Sequence, residues 1–169
     1  MENISFNDLI SDIRADSILD VGCAGLGGEN TTDFLVARWG AKVHGVCKDP
    51  SVQEYADKHG IRIDIKVFNP KEYGKYDLVC FDTRIDDNLA WWRNMDTTNT
   101  GKYFATYIIT TDDYGDKDTS EAIRETWDAV WGGFPTMGRI LNKDYSPFKL
   151  KKVVTETRRP EITWVLLEL

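Results

Sequence analysis

The sequence has a deficit of positive charge and no long apolar run. Its 169 residues include 21 Lys and Arg against 28 Asp and Glu, which gives a formal net charge of −7. Proteins that hold nucleic acid by broad electrostatic attraction usually carry the opposite sign, so this partner class is disfavoured. No stretch reaches the roughly 18 consecutive apolar residues of a membrane span. The first residues carry acids rather than the basic-then-apolar block of a signal peptide. We therefore expect a cytoplasmic protein without a membrane partner.

Cysteine is also scarce. Cys23, Cys47 and Cys80 are an odd number without the spacing of a metal site, and all three lie in or beside apolar, strand-like runs. We expect small thiols of a reduced chain. The hydrophobic content of 41% and charged content of 29% are ordinary for a folded protein. The length suits one domain that spans residues 1–169.

Apolar runs of strand length alternate with amphipathic stretches of helix length. Strands are predicted at 17–22, 41–46, 61–68, 76–81, 103–110, 149–157 and 161–167. Helices are predicted at 5–14, 29–39 (with Thr31 or Thr32 as a cap), 51–59, 88–94 and 118–131. The alternation indicates an α/β fold with a parallel sheet and helices on both faces. The last two strands must form an antiparallel hairpin, because a parallel pair needs a long crossover.

Five β/α units that end in a β-hairpin resemble the Rossmann-like fold of class I S-adenosylmethionine (SAM) methyltransferases. The resemblance implies a seven-stranded, mostly parallel sheet with the order 3-2-1-4-5-7-6. In that order the third and fourth strands lie three positions apart, yet only about residues 69–75 connect them. The required path is about 22 Å, and seven or eight extended residues reach about 25 Å. We therefore predict no helix in this connection.

A glycine-rich turn follows the first strand in the segment ILDVGCAGLGG, residues 18–28. Glycine lets the backbone approach a ligand closely, and the following helix presents free amides to an anion. Ala24 stands where a dinucleotide fingerprint needs its second glycine, so a nicotinamide cofactor is disfavoured. The segment resembles motif I of the methyltransferases at Asp20 and Gly22 and departs from it at Ala24. The alternative is a tight turn without a ligand.

The resemblance implies a set of residues around SAM. Asp20 would pair with the amino group of the methionine part. The family places a ribose-binding acid where this chain has Cys47, so Asp49 is either that acid or the cap of the next helix. Phe68 and Asn69 follow the third strand, where the family holds adenine, although Phe68 could instead be core. The implied cofactor-binding residues are Asp20, Gly22, Cys23, Ala24, Gly25, Cys47, Lys48, Asp49, Phe68, Asn69 and Asp82.

Carboxylates follow the fourth and fifth strands. Asp82 ends the fourth strand, and Asp112 and Asp113 follow the fifth. Ligands of open α/β sheets bind outside the carboxyl ends of the strands, so these side chains are expected to converge there. Clustered carboxylates repel one another unless a cation neutralises them, and Mg²⁺ prefers oxygen ligands. The alternative is that Asp112 and Asp113 cap turns and face water.

Two short stretches carry a second resemblance. Residues 107–115, YIITTDDYG, resemble macrocin-type sugar O-methyltransferases, and residues 81–86 are similar to the metal-binding strand end of catechol-type O-methyltransferases. The resemblance implies Asp82, Asp112 and Asp113 as ligands of Mg²⁺ and a small hydroxylated acceptor, either a sugar or a catechol-like compound. Asp82 and Asp86 are the candidate catalytic residues. The base is not assigned, because Ile85 stands where the catechol-type enzymes have a lysine.

Two other functions remain open. The first is RNA methylation, although RNA ribose methyltransferases need a lysine after the fifth strand and this chain has Thr111 and Asp112 there. The second is a non-catalytic methyltransferase-fold module that binds a partner protein, which the departures at Ala24 and Cys47 favour. No lid domain is evident. The acceptor would therefore be gripped by residues 83–101 and 132–148, or by another subunit of a homo-oligomer or partner protein.

Overall fold

A computed structural model describes residues 4–22, 31–156 and 161–169. The helices are α1 (Ile4–Ile10), α2 (Thr31–Trp39), α3 (Val52–His59), α4 (Ile85–Asn94), α5 (Lys117–Trp131) and α6 (Met137–Asn142). The strands are β1 (Ile18–Val21), β2 (Val43–Cys47), β3 (Arg62–Ile65), β4 (Tyr76–Phe81), β5 (Thr100–Ile109), β6 (Lys149–Thr155) and β7 (Ile162–Glu168).

The seven strands form one sheet with the order β3-β2-β1-β4-β5-β7-β6. Strands β1 to β5 run parallel to one another, and β7 lies antiparallel to both β5 and β6. The predicted strand order and C-terminal hairpin are confirmed. The link between β3 and β4 contains only a 3-10 turn at Pro70–Glu72 and no α-helix, as the length of the connection predicts.

Helices cover both faces of the sheet. On one face, Trp91 of α4 stacks on Phe104 of β5, with ring centroids 4.1 Å apart. On the other face, Phe6 of α1 packs against Trp164 of β7, with centroids 5.0 Å apart. Trp164 pairs with Tyr107 across the strands. Because residues 104 and 107 are an odd number of positions apart, their side chains point to opposite faces.

Several predicted boundaries differ from the structure. Strand β3 ends at Ile65 rather than at residue 68, because the amide of Lys66 makes a final hydrogen bond to the carbonyl of Cys47 before the chain leaves the sheet edge. Helix α1 ends at Ile10, earlier than predicted, and α4 begins at Ile85, earlier than predicted. Helix α6 was not predicted, since it has only six residues and buries only Ile140.

Both cysteines in the described residues, Cys47 and Cys80, are free thiols. Burial raises the pKa of the Cys80 thiol well above its ordinary value, so this thiol stays protonated and acts as a small apolar side chain. In the described ranges, no helix combines the length and apolar character needed to cross a membrane.

Candidate functional site

A cavity of about 880 Å³ opens at the carboxyl ends of β1, β2 and β4. Helix α4 forms one side, and the β3–β4 link forms the other. Both the location and the size are typical of a small-molecule site in an open α/β sheet. The residues that line the part near the strand ends are Val21, Gly22, Val46, Cys47, Lys48, Asp49, Val67, Phe68, Asp82, Thr83, Arg84 and Asp87.

Gly22 brings three strand ends together at this cavity. It follows β1 with a positive φ of 83°, and its amide donates a 2.9 Å hydrogen bond to the carbonyl of Val46 on β2. A Cβ atom on Gly22 would meet the carbonyl carbon of Asp82 at 2.9 Å and the Cα of Thr83 at 3.0 Å. Glycine is therefore needed both for its backbone conformation and for the close approach of β1 to β4. The predicted cofactor residues Cys23, Ala24 and Gly25 lie outside the described residues.

Asp20 lies inside β1, two residues before Gly22, and does not line the cavity. The side chain is fully buried, and its Oδ2 accepts a 2.7 Å hydrogen bond from Thr32 Oγ1. Its Oδ1 has no hydrogen-bond partner in the described part of the chain. Burial raises the pKa of Asp20 to about 7, and the nearby charge of Asp82 adds to the rise. The structure thus places Asp20 against α2, and its contact with a ligand amino group stays a prediction.

Asp82 is one of the carboxylates that line the cavity. It is half-buried just after β4, and its Oδ2 accepts a 2.7 Å hydrogen bond from Thr31 Oγ1. Thr31 and Thr32 are the first two residues of α2. They connect this helix to the carboxylates of two neighbouring strands, a role that the sequence did not reveal. The signal in the sequence was a pair of hydroxyl residues in the first turn after a glycine-rich segment.

The residues after β2 belong to the lining of the cavity. Cys47, Lys48 and Asp49 all line the cavity. Oδ1 of Asp49 also accepts a 2.9 Å hydrogen bond from the amide of Ser51, which lowers the pKa of Asp49. The two interpretations of Asp49, as a site residue and as a residue that orders the start of the next helix, are therefore compatible.

Phe68 and Asn69 are adjacent in sequence, but only Phe68 lines the cavity. The half-buried ring of Phe68 lines the cavity. Asn69 does not line it, because its Oδ1 accepts a 3.1 Å hydrogen bond from the amide of Lys71 and so begins the 3-10 turn. The exposed side chain of Asn69 is thus used locally, whereas Phe68 remains available to a ligand.

Phe68 packs beside a network of hydrogen-bonded side chains. The ring of Phe68 lies 5.6 Å from the ring of Tyr73, and the Tyr73 hydroxyl donates a 2.7 Å hydrogen bond to Asp64 Oδ2. His44 Nε2 lies 2.9 Å from the same oxygen, and His44 Nδ1 lies 2.8 Å from the Tyr76 hydroxyl. Burial alone would raise the pKa of Asp64, but hydrogen bonds from Tyr73 and His44 hold it below its ordinary value. The β3–β4 link is therefore anchored to the sheet beside the cavity.

The predicted magnesium site does not form in the described residues. Within those ranges, no three His, Cys, Asp or Glu side chains lie together in a way that could hold a metal ion. Asp112 Oδ2 accepts a 2.9 Å hydrogen bond from Arg124 of α5, while Asp82 bonds to Thr31 on the other side. Asp113 is exposed, and its amide donates to Thr111 Oγ1. Asp113 thus faces water, as the alternative has it, whereas the carboxylate of Asp112 pairs with Arg124 and does not cap a turn.

The first turns of α4 contain site residues that the sequence did not reveal. Asp86, a candidate catalytic residue, is exposed and is not part of the cavity lining, whereas its neighbour Asp87 is. Positions 87, 91 and 94 lie on one face of a helix, and all three line the cavity. The helical period of α4 would have identified this face if the start of the helix had been placed at Ile85.

No family model matches the sequence, and no curated protein matches it. Solved structures do match it over most of its length. Three examples show the range. They are the pyocyanin biosynthetic protein PhzM (13% identity, 98% of this chain and 54% of that chain, TM-score 0.55), fibrillarin of Aeropyrum pernix with natively bound SAM (16% identity, 90% and 66%, TM-score 0.56), and a SAM-dependent methyltransferase of Mesorhizobium loti (15% identity, 96% and 96%, TM-score 0.52).

The chain has the class I methyltransferase fold. At these identities the likeness establishes the fold only, and the chain spans about half of PhzM and two thirds of the fibrillarin. Within this methyltransferase fold, the cavity lies at the carboxyl ends of the central strands, and a short link replaces the helix between β3 and β4.

Proposed function

We propose that this chain binds SAM at the strand-end part of the cavity and transfers its methyl group to the hydroxyl oxygen of a small acceptor, such as a sugar or a catechol-like compound. The observation that carries the proposal is the cavity at the ends of three strands, where Gly22 approaches the backbone of Asp82 closely. The fold likeness to a fibrillarin that was solved with SAM supports the choice of ligand.

The residues at the strand ends suit a cationic nucleoside. The Asp82 carboxylate can stabilise positive charge in the partly desolvated cavity. Phe68 offers an aromatic face for adenine, and Asp49 offers carboxylate oxygens for ribose hydroxyls. These three side chains line one continuous cavity, although they come from β4, the β3–β4 link and the segment after β2.

The bound sulfonium compound would supply an electrophilic methyl group. The protein would contribute position, exclusion of water and a proton acceptor. We assign the role of proton acceptor to Asp82, because it lines the cavity just after β4 and Thr31 fixes one of its oxygens. Thr31 would thus act as a positioning residue. Asp86 has no part in this proposal, since it is exposed and does not line the cavity.

Magnesium is not part of the proposal. The donor set does not fit the ion, because Arg124 occupies an oxygen of Asp112 and the predicted ligands are not brought together. The same acidic segment supports a small acceptor over RNA, since Asp112 and Asp113 would repel a phosphate backbone near this edge. Residues 83–101, which include α4, would hold the acceptor, and a second subunit could complete its site.

The test is a methyl-transfer assay on the full chain with methyl-deuterated SAM and a panel of sugars and catechols, read by mass spectrometry. We expect label in an acceptor and equimolar S-adenosylhomocysteine. The Asp82→Asn variant should lose about 100-fold in rate, and the exposed Asp86→Asn variant should lose little. Binding of S-adenosylhomocysteine without transfer to any acceptor would favour the non-catalytic module, and failure to bind it would overturn the proposal.

A further inference from the structure

The β3–β4 link brings two aromatic rings together beside the cavity. Phe68 lies just before the 3-10 turn at Pro70–Glu72, and Tyr73 follows that turn directly. The two ring centroids are 5.6 Å apart, with an interplanar angle of 35°. Phe68 lines the cavity, whereas Tyr73 does not. We therefore expect any effect of Tyr73 on a ligand to act through the Phe68 ring that it contacts.

The side chain of Tyr73 is held by a carboxylate on the edge strand of the sheet. Its hydroxyl donates a 2.7 Å hydrogen bond to Oδ2 of Asp64 on β3. Its ring lies 5.5 Å from the ring of His44 on β2, and the Lys66 ammonium lies 5.2 Å from the centre of the same ring. One hydrogen bond to a charged acceptor and the contacts of Phe68, His44 and Lys66 thus restrict the orientation of the Tyr73 ring.

The backbone of Tyr73 is held from the opposite side. Asn99 is buried immediately before β5. Its Nδ2 donates to the carbonyls of Pro70 (3.0 Å), Tyr73 (2.8 Å) and Gly74 (2.9 Å). The side chain and the main chain of Tyr73 are therefore fastened to two different parts of the sheet, β3 and the start of β5.

The donors and acceptors around Asp64 fit one arrangement. Oδ2 of Asp64 accepts from the Tyr73 hydroxyl and lies 2.9 Å from His44 Nε2. A carboxylate can only accept hydrogen bonds, so Nε2 must carry a proton. Nδ1 of His44 lies 2.8 Å from the Tyr76 hydroxyl, which can donate to it, and Arg62 donates to the other oxygen of Asp64 at 3.3 Å. His44 and Arg62 thus keep Asp64 in place for Tyr73.

We infer that Tyr73 is a positioning residue for Phe68. The hydrogen bond to Asp64 holds the Tyr73 ring in place, and this ring sets the orientation in which Phe68 meets the adenine of the ligand. The inference rests on the proposed function, because that function places adenine at Phe68. An aromatic side chain that is already oriented loses less conformational freedom when the ligand binds. Removal of the Tyr73 hydroxyl should therefore weaken binding, although Tyr73 does not line the cavity.

The first test is calorimetric titration of the Tyr73→Phe variant with S-adenosylhomocysteine. This variant keeps the ring and loses only the hydroxyl, and we expect its dissociation constant to rise about fivefold. Tyr55→Phe is the matched control, because the Tyr55 hydroxyl also donates to an aspartate, Asp33, at 2.6 Å, and Tyr55 does not line the cavity. Both variants should lower the melting temperature slightly, but only Tyr73→Phe should lose affinity. Equal affinities of the two variants would overturn the inference.

Double variants separate positioning from general damage to the fold. Phe68→Ala removes the ring that Tyr73 positions, so adding Tyr73→Phe to Phe68→Ala should cause no further loss of affinity. Asp64→Ala should lower the affinity as Tyr73→Phe does, whereas Asp64→Asn keeps an oxygen for the Tyr73 hydroxyl and should retain most of the affinity. Additive losses in the variant of both aromatic residues would show that Tyr73 does not act through Phe68 and would overturn the inference.

A measurement without ligand distinguishes failure of this inference from failure of the proposed function. In the free wild-type chain, NMR should show a nuclear Overhauser effect between the ring protons of Phe68 and Tyr73. We expect this effect to weaken and the Phe68 ring signals to shift in Tyr73→Phe but not in Tyr55→Phe. If S-adenosylhomocysteine does not bind the wild type, the proposed function fails, while this pattern still supports the positioning role. Phe68 signals that are the same in all three chains would overturn it.

Discussion

A Cβ atom on Gly22 would lie 2.9 Å from the carbonyl carbon of Asp82, a residue that follows the neighbouring strand. The positive φ of Gly22 adds a second constraint on the same residue. Two independent physical reasons therefore require glycine where β1 meets β4. Both residues line the cavity.

The Gly22→Ala variant should lose about 3 kcal/mol of unfolding free energy, because the methyl group forces β1 and β4 apart and strains the backbone. Its affinity for S-adenosylhomocysteine should fall at least about tenfold. Denaturant unfolding and calorimetric titration measure the two effects. Gly74→Ala is the control, since a Cβ there meets nothing within 4 Å. Equal effects of the two substitutions would contradict this account of the strand contact.

Asp20 should make the stability of the fold depend on pH. Its pKa is about 7 in the folded chain against the ordinary value of 3.8. Between these values the folded chain holds a proton that the unfolded chain has lost. The unfolding free energy should therefore fall as the pH rises from about 4 to 7, by up to about 4 kcal/mol. Denaturant unfolding at several pH values measures this loss.

The matched variant for this prediction is Asp20→Asn. Asparagine cannot ionise, so its unfolding free energy should change less with pH, and the variant should be at least as stable as the wild type at pH 8. The difference between the two curves isolates Asp20 from the two histidines. Curves that run parallel between pH 4 and pH 8 would show that Asp20 does not titrate in this range.

Thr32 and Thr31 provide a comparison between a buried and a partly exposed carboxylate. Thr32→Val removes the described donor to Oδ2 of the fully buried Asp20 and should cost about 2 kcal/mol at pH 8. Thr31→Val removes a bond to half-buried Asp82, which water can replace, and should cost about 0.5 kcal/mol. Unfolding by urea distinguishes them. A larger cost at position 31 would refute the assigned difference in burial.

Phe68 should contribute to binding rather than to folding. The Phe68→Ala variant should raise the dissociation constant of S-adenosylhomocysteine about tenfold, because stacking of a base on an aromatic ring contributes about 1–3 kcal/mol. Its melting temperature should change little, since the ring is only half-buried. Phe134→Ala, at an exposed aromatic residue outside the cavity lining, is the control. Unchanged affinity in Phe68→Ala would remove this residue from the site.

Divalent cations should not bind at the carboxyl edge of β4 and β5. Arg124 bonds to Asp112, so a metal would have to displace this cation before Asp112 could become a ligand. We expect micromolar Mn²⁺ to leave the amide resonances of Asp82, Asp112 and Asp113 unbroadened. The amide resonances of an exposed tail in a control protein measure how much broadening Mn²⁺ causes without specific binding. If substoichiometric Mn²⁺ broadens all three resonances together, the prediction is wrong and the metal site is supported.

The sequence predicts most of the sheet because its information is local and periodic. Apolar runs and glycine ends predict the strands, and the short final turn predicts the C-terminal hairpin, whereas the strand order follows from the resemblance to the methyltransferase fold. The absence of a helix between β3 and β4 follows from the short length of residues 69–75 combined with the three positions that separate the two strands in this order. In contrast, the short helix α6 has too few turns to show a period, and its cap, Thr136, is one polar residue among many.

The site was harder to predict, because it depends on which way side chains turn. Asp20 and Asp82 both belong to strand ends, yet Asp20 points to Thr32 inside the fold and Asp82 lies at the cavity. Asp112 is adjacent to the edge in sequence, but α5 brings Arg124 to it from twelve residues away. Such pairings come from tertiary packing, so spacing along the chain does not reveal them.

The most direct test of the central claim is calorimetric titration of the full wild-type chain with S-adenosylhomocysteine. The account predicts one site per chain with a dissociation constant in the micromolar range, and a loss of binding in Gly22→Ala but not in Gly74→Ala. No heat and no rise in melting temperature at millimolar nucleoside would contradict it.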